Sequence, residues 1–115
     1  MTLDPTAMAR LLEITGDDVA FVDELVDTFL ADAAVQVEAL RGASAAADAA
    51  GIVRPAHSLK SSSHSVGAVT LAKLCASLEA DGRAGDAPDL PGRVVAVERE
   101  LVAVQAALLA ARAVR

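Results

Sequence analysis

The chain has 115 residues, of which 54% are hydrophobic and 2% aromatic; 27 are alanine, and 10 basic residues against 16 acidic ones leave a net charge of −6. High aliphatic content with modest charge excludes a disordered chain. The lack of a basic excess and of rings to stack bases excludes a nucleic-acid binder. A chain of this length folds as one domain, spanning residues 1–115, with a core built from Leu, Val, Ile and Ala. Alanine favours helices, whereas strands favour β-branched and aromatic residues, so the expected class is all-α. The single cysteine, Cys75, rules out an intrachain disulfide and gives no support to a Cys-based zinc site. The first residues carry neither a basic n-region nor an apolar h-region, so no signal peptide is expected. The longest aliphatic stretch, Leu101 to Ala111, is interrupted by Gln105 and falls short of the roughly 18 residues a membrane span needs. A soluble cytoplasmic protein is expected.

In chain order, Asp4-Pro5 supplies a capping carboxylate and a proline suited to a first helical position. A short helix then runs to about Ile14 on Met8, Leu11 and Leu12, and Thr15-Gly16-Asp17 breaks it. Asp17 and Asp18 suit the start of a longer second helix. Its apolar face is Val22, Leu25, Val26, Phe29, Ala33, Val37 and Leu40, and Arg41-Gly42 ends it. Ser44 or Asp48 caps a third helix running to about Val66, stopped by Gly67. Pro55 inside it removes a backbone bond to the Gly51 carbonyl. A fourth helix covers roughly Val69 to Asp81, with Leu71, Leu74, Cys75 and Leu78 inward, and a Gly/Pro/Asp-rich loop runs from Gly82 to Pro91. The last helix begins near Pro91 and carries Val94, Val97, Leu101, Val104, Leu108 and Ala111 as a bundle seam. Four main helices with short turns predict an antiparallel up-and-down four-helix bundle, with the short N-terminal helix covering one end.

The third helix carries the unusual chemistry. Positions three, four and seven apart share a face, so Ile52, Ala56, Leu59, Ser63 and Val66 point inward, while Val53, His57, Lys60, Ser61 and His64 point away from the core. Five serines weaken this helix, because they compete for backbone hydrogen bonds. From Ala49 to Leu78 there is no Asp or Glu, where about four are expected at the chain's average, while Arg54, Lys60 and Lys73 are basic. The neutral-to-basic patch favours an anionic ligand or an acidic partner.

For His57, a plain solvated histidine is the commonest reading of any surface histidine. Metal binding with His64 fails on spacing: seven residues rise about 10.5 Å along a helix, too far for one metal. Nucleophilic chemistry fits, because neutral imidazole has a free nitrogen and Lys60, one turn on, steadies transferred oxygens as a point charge. A Ser-His hydrolase lacks its Gly-x-Ser-x-Gly elbow, and no acid stands near His57 in sequence to orient the ring. No Gly-rich phosphate loop is present, so no ATP site is expected.

The segment Ala56-His57-Ser58-Leu59-Lys60-Ser61-Ser62-Ser63-His64-Ser65-Val66-Gly67-Ala68 resembles the signature of the histidine phosphotransfer (HPt) domains of bacterial phosphorelays, roughly Ala-His-Thr-Leu-Lys-Gly-Ser-Ser-Ala-Asn-Leu-Gly-Ala. Leu71-Ala72-Lys73-Leu74-Cys75-Ala76-Ser77-Leu78-Glu79 is similar to the family's following helix, and Leu25-Val26-Asp27-Thr28-Phe29-Leu30 to its preceding one. The resemblance covers about residues 18 to 110. It implies a four-helix bundle whose exposed His57 accepts a phosphoryl group from a receiver-domain aspartyl-phosphate and returns it to another receiver. It makes Lys60 the lysine beside the phosphoryl group. The family's glycine four residues after the histidine is Ser61 here, whose hydroxyl either bonds the imidazole or the phosphoryl oxygens or crowds the approach. The family's small residue and asparagine are here His64 and Ser65.

By the same resemblance the protein is a phosphotransfer intermediate with no cofactor of its own, Mg²⁺ belonging to the partner receiver. Acids are then missing around His57 because the partner's pocket is already acidic. Val53, Arg54 and His64 are candidate docking contacts. The implied partners are response-regulator receiver domains and a hybrid histidine kinase, met by a monomer. A degenerate bundle that binds a receiver without transfer is the alternative, motivated by Ser61 and His64. A structural helical oligomer is a third reading, disfavoured because each apolar seam is used once in a single bundle.

Overall fold

The computed structural model describes residues 1–113, and among these it is all-helical, with five helices: α1 (Ala7–Ile14), α2 (Val19–Ala45), α3 (Ala49–Ser65), α4 (Val69–Ala84) and α5 (Leu90–Ala113). α2 packs against α3 and α5, and α4 against α3 and α5, so the four long helices close a ring; α1 contacts α2. The body is elongated, 44 × 22 × 21 Å. Among the described residues no helix is long and apolar enough to cross a membrane.

The aliphatic periodicity places the core where expected. Val22, Val26, Phe29, Ala33, Val37 and Leu40 of α2 are buried, as are Val94, Val97, Val104 and Leu108 of α5. All of these except Val22 meet Ile52, Ala56 and Leu59 of α3 and Leu71, Cys75 and Leu78 of α4 in one cluster. Burial pushes the Cys75 thiol up to about 12, which makes it an inert packing group. Leu25, assigned to the inward face of α2, is instead 36% exposed. Val95, Val102 and Leu109 of α5 are also exposed, so the apolar positions are not all consumed by the bundle.

The element ends differ from the sequence reading for local reasons. α1 begins at Ala7, because Asp4 folds its carboxylate onto the Thr6 N–H (2.9 Å) rather than onto the first helical turn. α2 begins with Asp18 accepting from the Phe21 N–H and runs through Gly42 to Ala45, because the following turn needs only Ala46–Asp48. Asp48, not Ser44, caps α3 by accepting from the Gly51 N–H at 3.0 Å. α3 continues past the buried Pro55 to Ser65, and Gly67 turns the chain with φ +74°. The Gly67 carbonyl accepts from the Asp4 N–H at 2.8 Å, and an added Cβ would collide with the Ala7 methyl. That contact seats the N-terminal segment on the α3–α4 turn.

The largest departure is at the start of the expected loop. Gly82 is helical and buried, and α4 ends only at Ala84, capped by Gly85 at φ +77°. A Cβ on Gly82 would stand 2.8 Å from the Ala49 carbonyl oxygen and 3.0 Å from Val53 Cγ2. Here glycine allows close approach of two helices, and its backbone freedom is not used.

Candidate functional site

α3 presents the two faces read from the sequence. Ile52, Ala56, Leu59, Ser63 and Val66 are buried, whereas His57, Ser61 and His64 are exposed and Val53 and Lys60 partly so. The serine-rich turns bond back onto their own helix: Ser62 Oγ donates to the Ser58 carbonyl (3.0 Å) and Ser65 Oγ to the Ser61 carbonyl (3.3 Å). These bonds satisfy hydroxyls that would otherwise compete with the helix. Ser63 is fully buried and its hydroxyl has no partner.

α4 contributes the group that sequence reasoning missed. Glu79 is 5% exposed and reaches across from α4 to the polar face of α3. Its Oε1 accepts from Lys60 Nζ at 2.5 Å. Its Oε2 lies 2.8 Å from His57 Nδ1 and accepts from Arg83 Nη2 at 2.7 Å. A buried carboxylate is costly unless paired, and here three groups pair with it. The Lys60 and Arg83 hydrogen bonds, with a smaller contribution from His57, outweigh its burial and hold the Glu79 carboxyl at about 2. It is therefore ionised at neutral pH. The expectation that acids are absent around His57 is thus corrected: one is present, buried and neutralised by its neighbours.

The ionised carboxylate fixes the histidine's chemistry. A carboxylate only accepts hydrogen bonds, so the proton lies on Nδ1, and in the neutral ring the lone pair lies on Nε2. The His57 side chain is 55% exposed, so this nitrogen is open to a reactant. Ser61, offered by the sequence as a partner for the imidazole, does not hold Nδ1; Glu79 does.

The two cations bound to Glu79 differ in exposure, and of these only Lys60 was expected from the sequence. Lys60 is 28% exposed and committed to Glu79, while Arg83 is 61% exposed. Of the docking candidates, Arg54 is exposed beside His57 on α3, and Val53 is half-buried in the contact with Gly82. His64 lines a groove of about 230 Å³ with Asp4, Arg10 and Ile14 at the N-terminal segment. A neighbouring groove of about 240 Å³, lined by Leu11, Leu25, Phe29, Ser62 and Val66, is largely apolar and explains why Leu25 is not packed away. Among the described residues no cluster of three or more His, Cys, Asp or Glu could hold a metal ion.

An all-helical bundle with an exposed mid-helix histidine is the architecture expected of a histidine phosphotransfer protein, and the Hpt domain family matches residues 24–110. The chain belongs to the Hpt domain family. Among solved structures it is similar to histidine-containing phosphotransfer protein B (HptB) from Pseudomonas aeruginosa PAO1, at 32% identity, covering 99% of this chain and 96% of that one, with a TM-score of 0.88. No curated protein matches it. Its general role is histidine phosphotransfer, and Hpt domains as a class interact with receiver domains and kinases.

Proposed function

We propose that this protein is a phosphocarrier in which His57 Nε2 takes a phosphoryl group from a receiver-domain aspartyl-phosphate and passes it to a second receiver. The observation that carries this reading is the 2.8 Å bond between His57 Nδ1 and the ionised Glu79. It keeps the proton on the far nitrogen and leaves the exposed one free to attack phosphorus. On loading, the Nε2–P bond forms, the aspartyl O–P bond breaks, and the carboxylate leaves on the receiver. On unloading, a carboxylate oxygen of the second receiver's aspartate forms the O–P bond, the Nε2–P bond breaks and its electron pair returns to Nε2. Nδ1 retains its proton throughout, so neither direction requires a base at His57.

Phosphoryl transfer depends mainly on positioning and electrostatics. Lys60 adds fixed positive charge beside the transferred group. Ser61 is exposed on the next turn and sets the width of the approach. Arg54, Val53 and His64 contact the receiver, whose acidic pocket carries the Mg²⁺; this chain needs no cofactor and no ATP site. We read the protein as a monomer of the cytoplasm, acting between receivers and a hybrid histidine kinase. The bundle is read as antiparallel up-and-down. Arg41 pairs with Glu98, whereas Asp27, earlier on α2, pairs with Arg112, later on α5. Likewise His57 meets Glu79 while the earlier Val53 meets the later Gly82.

The test is incubation with a phosphorylated receiver followed by intact-mass measurement. An acid-labile phosphoryl adduct is expected on the wild type and none on His57→Gln. An adduct that persists in the variant refutes the assignment.

A further inference from the structure

We propose that Arg83 is the side chain that bonds the phosphoryl oxygens on His57, while Lys60 stays bound to Glu79. The inference rests on the phosphocarrier reading above and deepens it by dividing labour between the two cations. Both lie beside Glu79, but their bonds are not equivalent. Lys60 Nζ is the partner of Oε1 (2.5 Å), whereas Oε2 is shared between Arg83 Nη2 (2.7 Å) and His57 Nδ1 (2.8 Å).

Consider what each cation leaves behind on moving. If Lys60 turned to a phosphoryl group, Oε1 of a nearly buried carboxylate would lose its hydrogen bond, and an unpaired buried acceptor is costly. If Arg83 turns instead, Oε2 keeps the imidazole N–H. Loading makes the ring a cation, so this remaining bond to the ionised carboxylate gains a charged donor and strengthens. The exchange is therefore self-compensating for Arg83 and not for Lys60.

Exposure and geometry agree. Arg83 is 61% exposed and Lys60 28%. The guanidinium spends its Nε and Nη2 donors on Oε2 and has further N–H donors in a planar fork that matches two phosphoryl oxygens. Because Arg83 and His57 bond the same oxygen, the guanidinium already stands within a side chain's swing of the ring. Its place on α4 follows from Gly82, the preceding residue, whose missing Cβ lets this turn lie against Ala49 and Val53.

The experiment compares wild type, Arg83→Ala, Arg83→Lys and Lys60→Ala after exposure to a phosphorylated receiver. It follows adduct formation by intact mass, thermal unfolding, and the Arg83 side-chain Nε–H resonance by NMR. Arg83→Ala is expected to unfold near the wild-type temperature yet to load about tenfold to hundredfold more slowly, with partial rescue by Arg83→Lys. Lys60→Ala is expected to lose more thermal stability than Arg83→Ala. The Arg83 Nε–H signal is expected to shift on loading. Wild-type loading by Arg83→Ala, or an Arg83 resonance unmoved by loading, overturns the proposal. Absence of any adduct on the wild-type protein would instead refute the phosphocarrier reading itself.

Discussion

Replacing Gly82 by alanine tests whether the α3–α4 spacing sets the site. The new methyl would stand 2.8 Å from the Ala49 carbonyl oxygen and 3.0 Å from Val53 Cγ2. Ordinary carbon–oxygen contacts are about 3.3 Å or more, so α4 must retreat by about half an ångström. Overpacking of this kind costs about 1–3 kcal/mol, and alanine's better helix propensity returns about 1 kcal/mol. Net destabilisation of about 0–2 kcal/mol is expected. The retreat carries Glu79 and Arg83 with it, so the 2.8 Å His57–Glu79 bond lengthens beyond the usual N–H···O range of about 3.2 Å. Misplacement by about 1 Å can cost a hundredfold in rate, so about a tenfold slower loading of His57 is expected. Denaturant unfolding measures the first effect, and intact-mass time courses with a phosphorylated receiver measure the second. A variant that loads at the wild-type rate while losing stability would refute the claim that Gly82 positions the site.

Three further outcomes follow from individual groups. Glu79 is depressed from 4.5 to about 2 in the folded protein; its contribution to stability is therefore present above the ordinary carboxylate range and lost as pH falls from about 4.5 toward 2. Unfolding curves across that window should converge between wild type and Glu79→Gln, and a constant gap would contradict the pairing. Ser63→Ala removes a buried hydroxyl that has no partner and should leave stability unchanged or raise it by about 1 kcal/mol; a loss of 1 kcal/mol or more in urea melts would show that the hydroxyl is bonded. Ser61→Gly widens the approach to His57, and faster loading from a phosphorylated receiver is expected; an unchanged rate would clear the serine of crowding.

Much of the bundle was legible because one-dimensional periodicity carries it. The 3- and 4-residue spacing in α2 and α5 and the small inward face of α3 follow from helix geometry, which each segment obeys independently of its neighbours. His57 was legible because Lys60 lies on the same helix and the acid-free window surrounds both in sequence. Glu79 was not. It lies 22 positions downstream, and nothing in a single helix states which residue of the next one faces across. Its position as the first acid after the acid-free window is the one signal the sequence offers. Arg83 was missed for a related reason: Gly82 reads as a loop signal, whereas in the structure it is a helical residue lying against Ala49 and Val53.

The sequence by itself therefore determined the helical class, the core faces and the place of His57 on an exposed face. These depend on local propensity and on burial of one stripe per helix. The tertiary structure alone decided the electrostatics. It set an ionised Glu79 against Nδ1, assigned Lys60 to one carboxylate oxygen and left Arg83 on the other. The acid-free window around His57, which reads in sequence as a neutral-to-basic patch, is closed in space by a carboxylate from the next helix. Hydrogen-bond geometry depends on how close two helices lie, and that distance is set by packing at a single glycine.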